Sequence, residues 1–252
     1  MSGTATPLSL NEVKFFFTRA AVGVGAPFGI GEDFANASIW LAILGTDPAE
    51  AAEPALSGLA DGTSNARFVL FDAEGTLHVR SDDGRSLSAI YAGPAIADWL
   101  TVEGRKNTGR SVVLEDVDQP ALIAAACAAA NAANRVTVSW TLADGGQVVI
   151  ELAEGGTELA CPDGAGMPVA GPTDVHIALG TPARTAARST HPVSTHPLSA
   201  RIQDGRAQVI ESGIEVADAP WSTVFSCFQK CLVPSTAESR IGGAGAGLTD
   251  ND

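Results

Sequence analysis

The last fourteen residues, SRIGGAGAGLTDND (239–252), hold the densest set of side chains able to do chemistry. Gly242, Gly243, Gly245 and Gly247 have no Cβ, so they can take backbone angles that turn successive N–H groups toward one point. Such a concave run of amides binds anions. Arg240 would add a guanidinium with two-pronged geometry for a carboxylate or phosphate, and Ser239 a hydroxyl. Asp250 and Asp252, with Asn251 and the terminal carboxylate, could serve as base or as hard-cation ligands. The chemistry this spells is capture of a small anionic metabolite, with Asp250 or Asp252 in a catalytic role. The competing reading is a flexible tail, because termini and glycine runs commonly lack fixed structure. No strand–glycine–lysine pattern occurs, so this is not a P-loop.

Other groups compete for attention. His176 follows Asp174 by two positions in a strand-like run, which places both on one strand face and makes His176 a conceivable general base. His191 and His196 form the near-repeat THPVSTHP, yet no cysteine pair accompanies them, so a zinc site is poorly supported and no metal set is assigned. Cys227 and Cys231 are four apart on a predicted helix, beside an apolar stripe, and read as structural thiols. Arg19 sits one helical turn before the glycine-rich GVGAPFGIGED (23–33) and could join an anion site there. That stretch follows no strand, so a tight helix–helix turn is the better reading. EGRKNTGR (103–110) is the densest positive run and reads as an exposed loop or a local anion port.

These groups need elements to hold them. Ser9 followed by Glu12 is a capping box, predicting a helix from about Asn11 to about Val22. GEDFANASIWLAILG predicts a second helix with Glu32 and Asp33 in its first turn. Asp47-Pro48 starts a third. RFVLFDAEGTLHVR, RVTVSWTLADGGQVVIEL and SARIQDGRAQVI each read as a hairpin about a turn. GPAIADWL predicts one or two helical turns, and PALIAAACAAANAAN a full helix starting at Pro120. DVHIAL reads as a strand, residues 180–197 as a long loop, and APWSTVFSCFQKCL as a last helix. The expected fold class is α+β, an antiparallel sheet built from hairpins and covered by helices. It is expected as a single domain over 1–252, with a helical N-terminal segment (1–62), a mixed body from 66 onward and the glycine-rich C-terminal loop.

Composition bounds the function. The 252 residues include 45% hydrophobic and 17% charged residues, which marks a folded chain with a sizeable core. A formal net charge of −14 disfavours nucleic acid and anionic lipid as partners. No signal peptide and no apolar run of roughly 18 residues is present, so a cytoplasmic, soluble protein is expected. The four cysteines are then expected as free thiols. No motif names a cofactor.

The opening LSLNEV, with RAAVGVGAPFGIGEDFANASIWLA after it, and the closing VPSTAESRIGGAGAGLTDND resemble a bacterial family catalogued as domain of unknown function 3726. The resemblance implies that the closing phrase is an integral part of the protein. It also implies a more polar first helix than FFF at 15–17, which suggests a partner there. Residues 100° apart on a helix cannot all face one core, so one of Phe15, Phe16 and Phe17 should be exposed. Two function classes follow: an enzyme or binder of a small anionic metabolite, or a non-catalytic accessory protein that forms oligomers.

Overall fold

The computed structural model describes residues 5–106, 109–130, 135–153, 156–161, 167–168, 171–180 and 194–232. The closing segment with Ser239, Arg240, Gly243, Gly245, Gly247, Asp250 and Asp252 lies outside the described residues, as does His191.

Strand β1 (Ala5–Leu8) leads into helix α1 (Leu10–Gly23) through the expected capping box. Ser9 Oγ accepts from Glu12 N at 3.2 Å, and Ser9 N donates to Glu12 Oε2 at 2.8 Å. Helix α2 (Phe28–Ile43) begins earlier than the sequence suggested, directly after Pro27, so Glu32 and Asp33 stand outside its first turn. The glycine-rich stretch is thus a short turn followed by helix. Gly31 is needed inside α2 because a Cβ there would lie 2.6 Å from the Thr18 carbonyl oxygen, and only its absence lets α1 and α2 approach. Helix α3 (Pro48–Asp61) starts where Asp47 Oδ1 accepts from Ala49 N at 2.8 Å.

Strands β2 (Ser64–Asn65), β3 (Phe68–Ala73), β4 (Thr76–Ser81) and β5 (Ser86–Leu87) follow. Glu74 and Gly75 take φ values of 53° and 82° between β3 and β4, the mirror-image turn that matches strand twist. Then come α4 (Ala89–Lys106), β6 (Ser111–Val117), α5 (Pro120–Ala129), β7 (Val136–Thr141), β8 (Gln147–Ala153), β9 (Gly156–Cys161), β10 (Thr173–Leu179) and β11 (Ser194–Pro197). Helix α6 (Leu198–Ser212), β12 (Ile214–Ala217) and α7 (Asp218–Lys230) complete the described chain.

Three expectations are corrected here. SARIQDGRAQVI is not a hairpin but the body of α6. Its Asp-Gly pair is helical because Gly205 lets α6 touch the end of α2; a Cβ would lie 1.8 Å from the Ile43 carbonyl oxygen. GPAIADWL is part of an 18-residue helix, α4, which also takes in the first half of EGRKNTGR. Residues 194–197 of the expected long loop form β11.

The large sheet has the order β11-β9-β8-β7-β10-β6-β4-β3. Most of it is antiparallel, as α+β requires, but β4 and β5 each run parallel to β6. One face carries Val79, Val112, Leu114, Val138, Trp140, Ile150, Val175 and Ile177, all buried. It packs on α4 and on α5, whose residues from Pro120 to Cys127 are all buried. Helix α5 is covered in turn by α2, and α1 and α7 pack beyond it. Each large aliphatic side chain so enclosed contributes roughly 1.5–3 kcal/mol.

The first described strand meets the last. β1 pairs antiparallel with β12, Ala5 opposite Ala217 and Leu8 opposite Ile214. Phe16 stacks edge-on against Trp221 and Phe228 of α7. Phe17 is fully buried while Phe15 is 43% exposed, which resolves the FFF run as helix geometry demands.

Candidate functional site

Strands β5 and β6 lie side by side in parallel, joined by α4 as the crossover. Each then feeds a helix at once: Leu87 passes through Ser88 into α4, and Val117 through Asp118 and Gln119 into α5. Two helix N-termini therefore begin at the same strand ends. The free amides and dipoles of such ends favour negative charge, and ligands of open sheets gather at the carboxyl ends of parallel strands.

Asp118 stands between the two. Its backbone N–H donates to Leu87 O at 3.1 Å, and its Oδ1 accepts from Ala89 N at 2.8 Å, capping α4 from the neighbouring strand. The residue is only 8% exposed. Burial pushes its carboxyl up to about 6, with nearby Asp116 adding to the rise and Ala89, Ser64 and Gln119 opposing it. Its second oxygen, Oδ2, has no hydrogen-bond partner. Neither has Ser88 Oγ nor Gln119 Oε1, in residues that are 0% and 5% exposed. A buried polar atom left unpaired costs about 1–3 kcal/mol, and few are tolerated. Three such atoms stand in the two strand-to-helix connections at one pair of strand ends.

The surroundings are polar and hydrogen-bonded. Ser88 N donates to Asn65 O at 3.0 Å, and Asn65 Nδ2 donates to Ser81 Oγ at 3.2 Å and Asp82 Oδ1 at 2.6 Å. Asp116 holds φ at 51°, in the left-handed region that aspartate tolerates at a cost. Ser86 Oγ donates to Asp116 Oδ2 at 2.9 Å, and Asp116 N donates to Asp174 Oδ1 at 2.9 Å. Opposite, the β10 register shifts between Thr173 and Val175, so a bulge bends the ladder beside the junction.

His176 lies on the other, exposed face of the sheet. It faces Val113 of β6 and Ser139 of β7, and lines a shallow cavity of about 190 Å³ with Thr76, Ser111 and Thr137. Asp174 spends one carboxylate oxygen on the β6 backbone. His78, across Val113 in the same row, contacts Glu115 Oε1 through Nδ1 at 3.0 Å. Arg19 is engaged elsewhere: its guanidinium lies 3.9 Å from the centre of the Phe15 ring. The structure thus brings neither His176 nor Arg19 to the Asp118 junction.

A cleft of about 760 Å³ opens between the α2–α3 turn, α6 and β12. Its charged lining is Asp47, Asp204 and Glu215, with no basic residue, so an anion would be repelled. Asp47 is committed to Ala49 N and Ala217 N. Among the described residues no group of three or more His, Cys, Asp or Glu could hold a metal ion. Cys127, Cys227 and Cys231 are free thiols, and burial pushes Cys127 up to about 12. No helix among the described residues is long and apolar enough to cross a membrane.

Sequence reading missed the junction. Pro120 marks a helix start in the sequence, but the strand SVVLEDV before it carries no turn signal of its own. The signal was that strand running straight into Asp118-Gln119-Pro120, a strand end abutting a helix start.

Residues 8–90 match the family described as "Protein of unknown function (DUF3726)", the family that the opening residues resemble. No curated protein matches the sequence. Among solved structures, malate dehydrogenase from Pyrococcus horikoshii OT3 superposes with a TM-score of 0.60 at 9% identity, over 92% of this chain and 97% of that one. Sulfolactate dehydrogenase from Methanocaldococcus jannaschii gives 0.59 at 9%, over 90% and 97%. A dehydrogenase from Sinorhizobium meliloti gives 0.58 at 14%, over 89% and 100%. At these identities the likeness is one of fold.

Proposed function

We propose that this chain binds a small anionic metabolite at the junction where β5 and β6 end and α4 and α5 begin, and that it is an enzyme of the dehydrogenase type. The observation that carries the reading is the set of buried, unpartnered oxygens, Asp118 Oδ2, Gln119 Oε1 and Ser88 Oγ, between two helix N-termini. The fold supports it: malate and sulfolactate, named for two of the similar structures, are small hydroxy acids with two anionic groups. In this reading Asp118 accepts the one hydrogen bond that the hydroxyl of such a ligand can donate, and the helix ends face its negative charge. Asp116, Asp118 and Asp174 make the junction itself acidic, so a cation must come from elsewhere. We assign that role to Arg240 in the closing segment, with Ser239, Gly243, Gly245 and Gly247 supplying hydrogen-bond donors. Asp250 and Asp252 are the candidates for proton transfer, while His176, on the other face of the sheet, and Arg19, over the Phe15 ring, take no part at this junction. One domain over 1–252 is the arrangement this requires.

Thermal melts and titration calorimetry of the full chain with malate, sulfolactate and NADH or NADPH test the proposal. A saturable rise in melting temperature with one of the acids is expected, lost on deleting residues 240–252 although the unliganded melt is unchanged. Absence of any response to the acids at millimolar concentration, or binding that survives both the deletion and Asp118→Ala, refutes it.

A further inference from the structure

The large sheet ends at β3, and among the described residues no strand pairs with its outer edge. Natural sheet edges are ordinarily blunted by charge, proline or a bulge, because a bare edge recruits another strand. This one is bare. Val69, Leu70 and Phe71 are 41%, 59% and 38% exposed in succession, and β3 pairs with β4 in unbroken register. Which backbone groups face outward can be worked out. Asp82 N donates to Arg67 O at 3.3 Å, so residues 67, 69 and 71 bond inward to β4 by the alternation of antiparallel ladders. The N–H and C=O groups of Phe68, Leu70 and Asp72 therefore point out into solvent.

We infer that β3 pairs antiparallel with β3 of a second copy, about a two-fold axis at Val69, joining the two large sheets into one. The pattern is self-complementary. A two-fold axis perpendicular to the sheet makes residues i and j opposite when they sum to twice the central residue, which keeps each on its own face. With Val69 at the centre, Phe68 of each copy meets Leu70 of the other. Both carry outward-facing donors and acceptors, so the two pairs close four backbone hydrogen bonds. Phe68 and Leu70 also line the same side of the sheet, over an apolar cavity of about 130 Å³ whose wall includes Leu77, Ile96 and Trp99. Each copy thus offers its exposed Leu70 next to the other's apolar hollow. On the opposite face Val69 meets Val69, and Arg67 meets Phe71, a cation–ring pairing already seen within one chain where Arg80 lies 5.2 Å from the Phe71 ring. Shifting the axis to Leu70 would set Phe68 against Asp72, and shifting it to Phe71 would set Leu70 against Asp72. The charge of −14 on each copy opposes association, so salt should strengthen the dimer. The interface is small, and dissociation at low micromolar concentration is expected. None of this depends on the metabolite reading.

Sedimentation and light scattering of the full chain from 2 to 200 µM, at low and high salt, are expected to show a mass rising toward twice 25.6 kDa. Leu70→Pro removes an outward N–H without touching the β4 ladder, and Leu70→Lys adds edge charge; both are expected to give monomers with an unchanged circular dichroism spectrum. Phe28→Ser, on α2 and 54% exposed, should leave the dimer intact. Val69→Cys fixes the register, because non-bonded partners across the axis have Cα atoms about 4.5 Å apart, within disulfide reach. Diamide, which takes up the two thiol hydrogens as the S–S bond forms, should cross-link Val69→Cys and not Phe71→Cys, with the wild-type chain as blank. A chain that stays monomeric at 200 µM in high salt overturns the inference. So does a dimer that persists in Leu70→Pro and Leu70→Lys, or a Val69→Cys protein that dimerises without cross-linking.

Discussion

Replacing Asp118 by Asn should make the protein more stable, and only above the titration of the carboxyl it removes. The amide oxygen of Asn can still accept from Ala89 N, so the cap on α4 is kept. What disappears is a buried charge. The carboxyl is held at about 6 in the fold against an ordinary 3.8, because burial penalises the anion. The folded protein therefore binds more protons than the unfolded chain between those two values. Stability conferred in acid is lost as pH rises through them, and the penalty is complete above pH 6. A rise of about two units corresponds to about 3 kcal/mol as an upper figure. For a chain of this length that is a melting difference of about 6 °C. Calorimetric melts of both proteins at pH 4, 6 and 8 make the comparison, with all other carboxylates cancelling in the difference. The gap should be near zero at pH 4 and grow to its full value by pH 8. A gap that is constant with pH would refute the reasoning, since a packing change has no reason to follow the titration of one acid. If the junction is a ligand site, the stabilised variant should also bind its ligand more weakly, as is common for strained functional groups.

Other outcomes follow from geometry already described. Gly205→Ala forces a methyl group to within 1.8 Å of the Ile43 carbonyl oxygen and should cost about 3 kcal/mol or more, read by urea melts. Ser9→Ala removes the side-chain half of the capping box and should cost about 1 kcal/mol in the same assay. In a Cys161→Ser background, a thiol reagent at pH 8 should label partly exposed Cys231 first and reach Cys127 only on unfolding, because burial holds that thiol at about 12. Labelling of Cys127 in the native state would show that α5 opens.

Much of the fold was legible because local rules and packing agree. Ser9 with Glu12, Asp47 with Pro48, and the turns at Glu74-Gly75 and Gly145 each fix a boundary by short-range chemistry, and the structure keeps all four. Where the reading failed, a distant partner decided. Asp204-Gly205 looks like a hairpin turn, yet that glycine serves the contact between α6 and α2. Gly29 and Gly31 look like loop, yet α2 contains both, and at Gly31 α1 needs the space. The parallel pairing of β4 with β6 left no mark, since hairpin turns announce antiparallel neighbours and a crossover announces nothing. The Asp118 junction was hidden for the same reason. Asp118, Ser88 and Gln119 are ordinary loop letters until two parallel strand ends and two helix starts coincide.

The pairing of β1 with β12, and the seating of α1 on α7, fasten the first and last described elements to each other. During synthesis the opening helices must wait, their aromatic face uncovered, until some two hundred further residues have left the ribosome. It also follows that a ribosome-stalled fragment ending before residue 214 should remain protease-sensitive at its very first helix, the part made earliest.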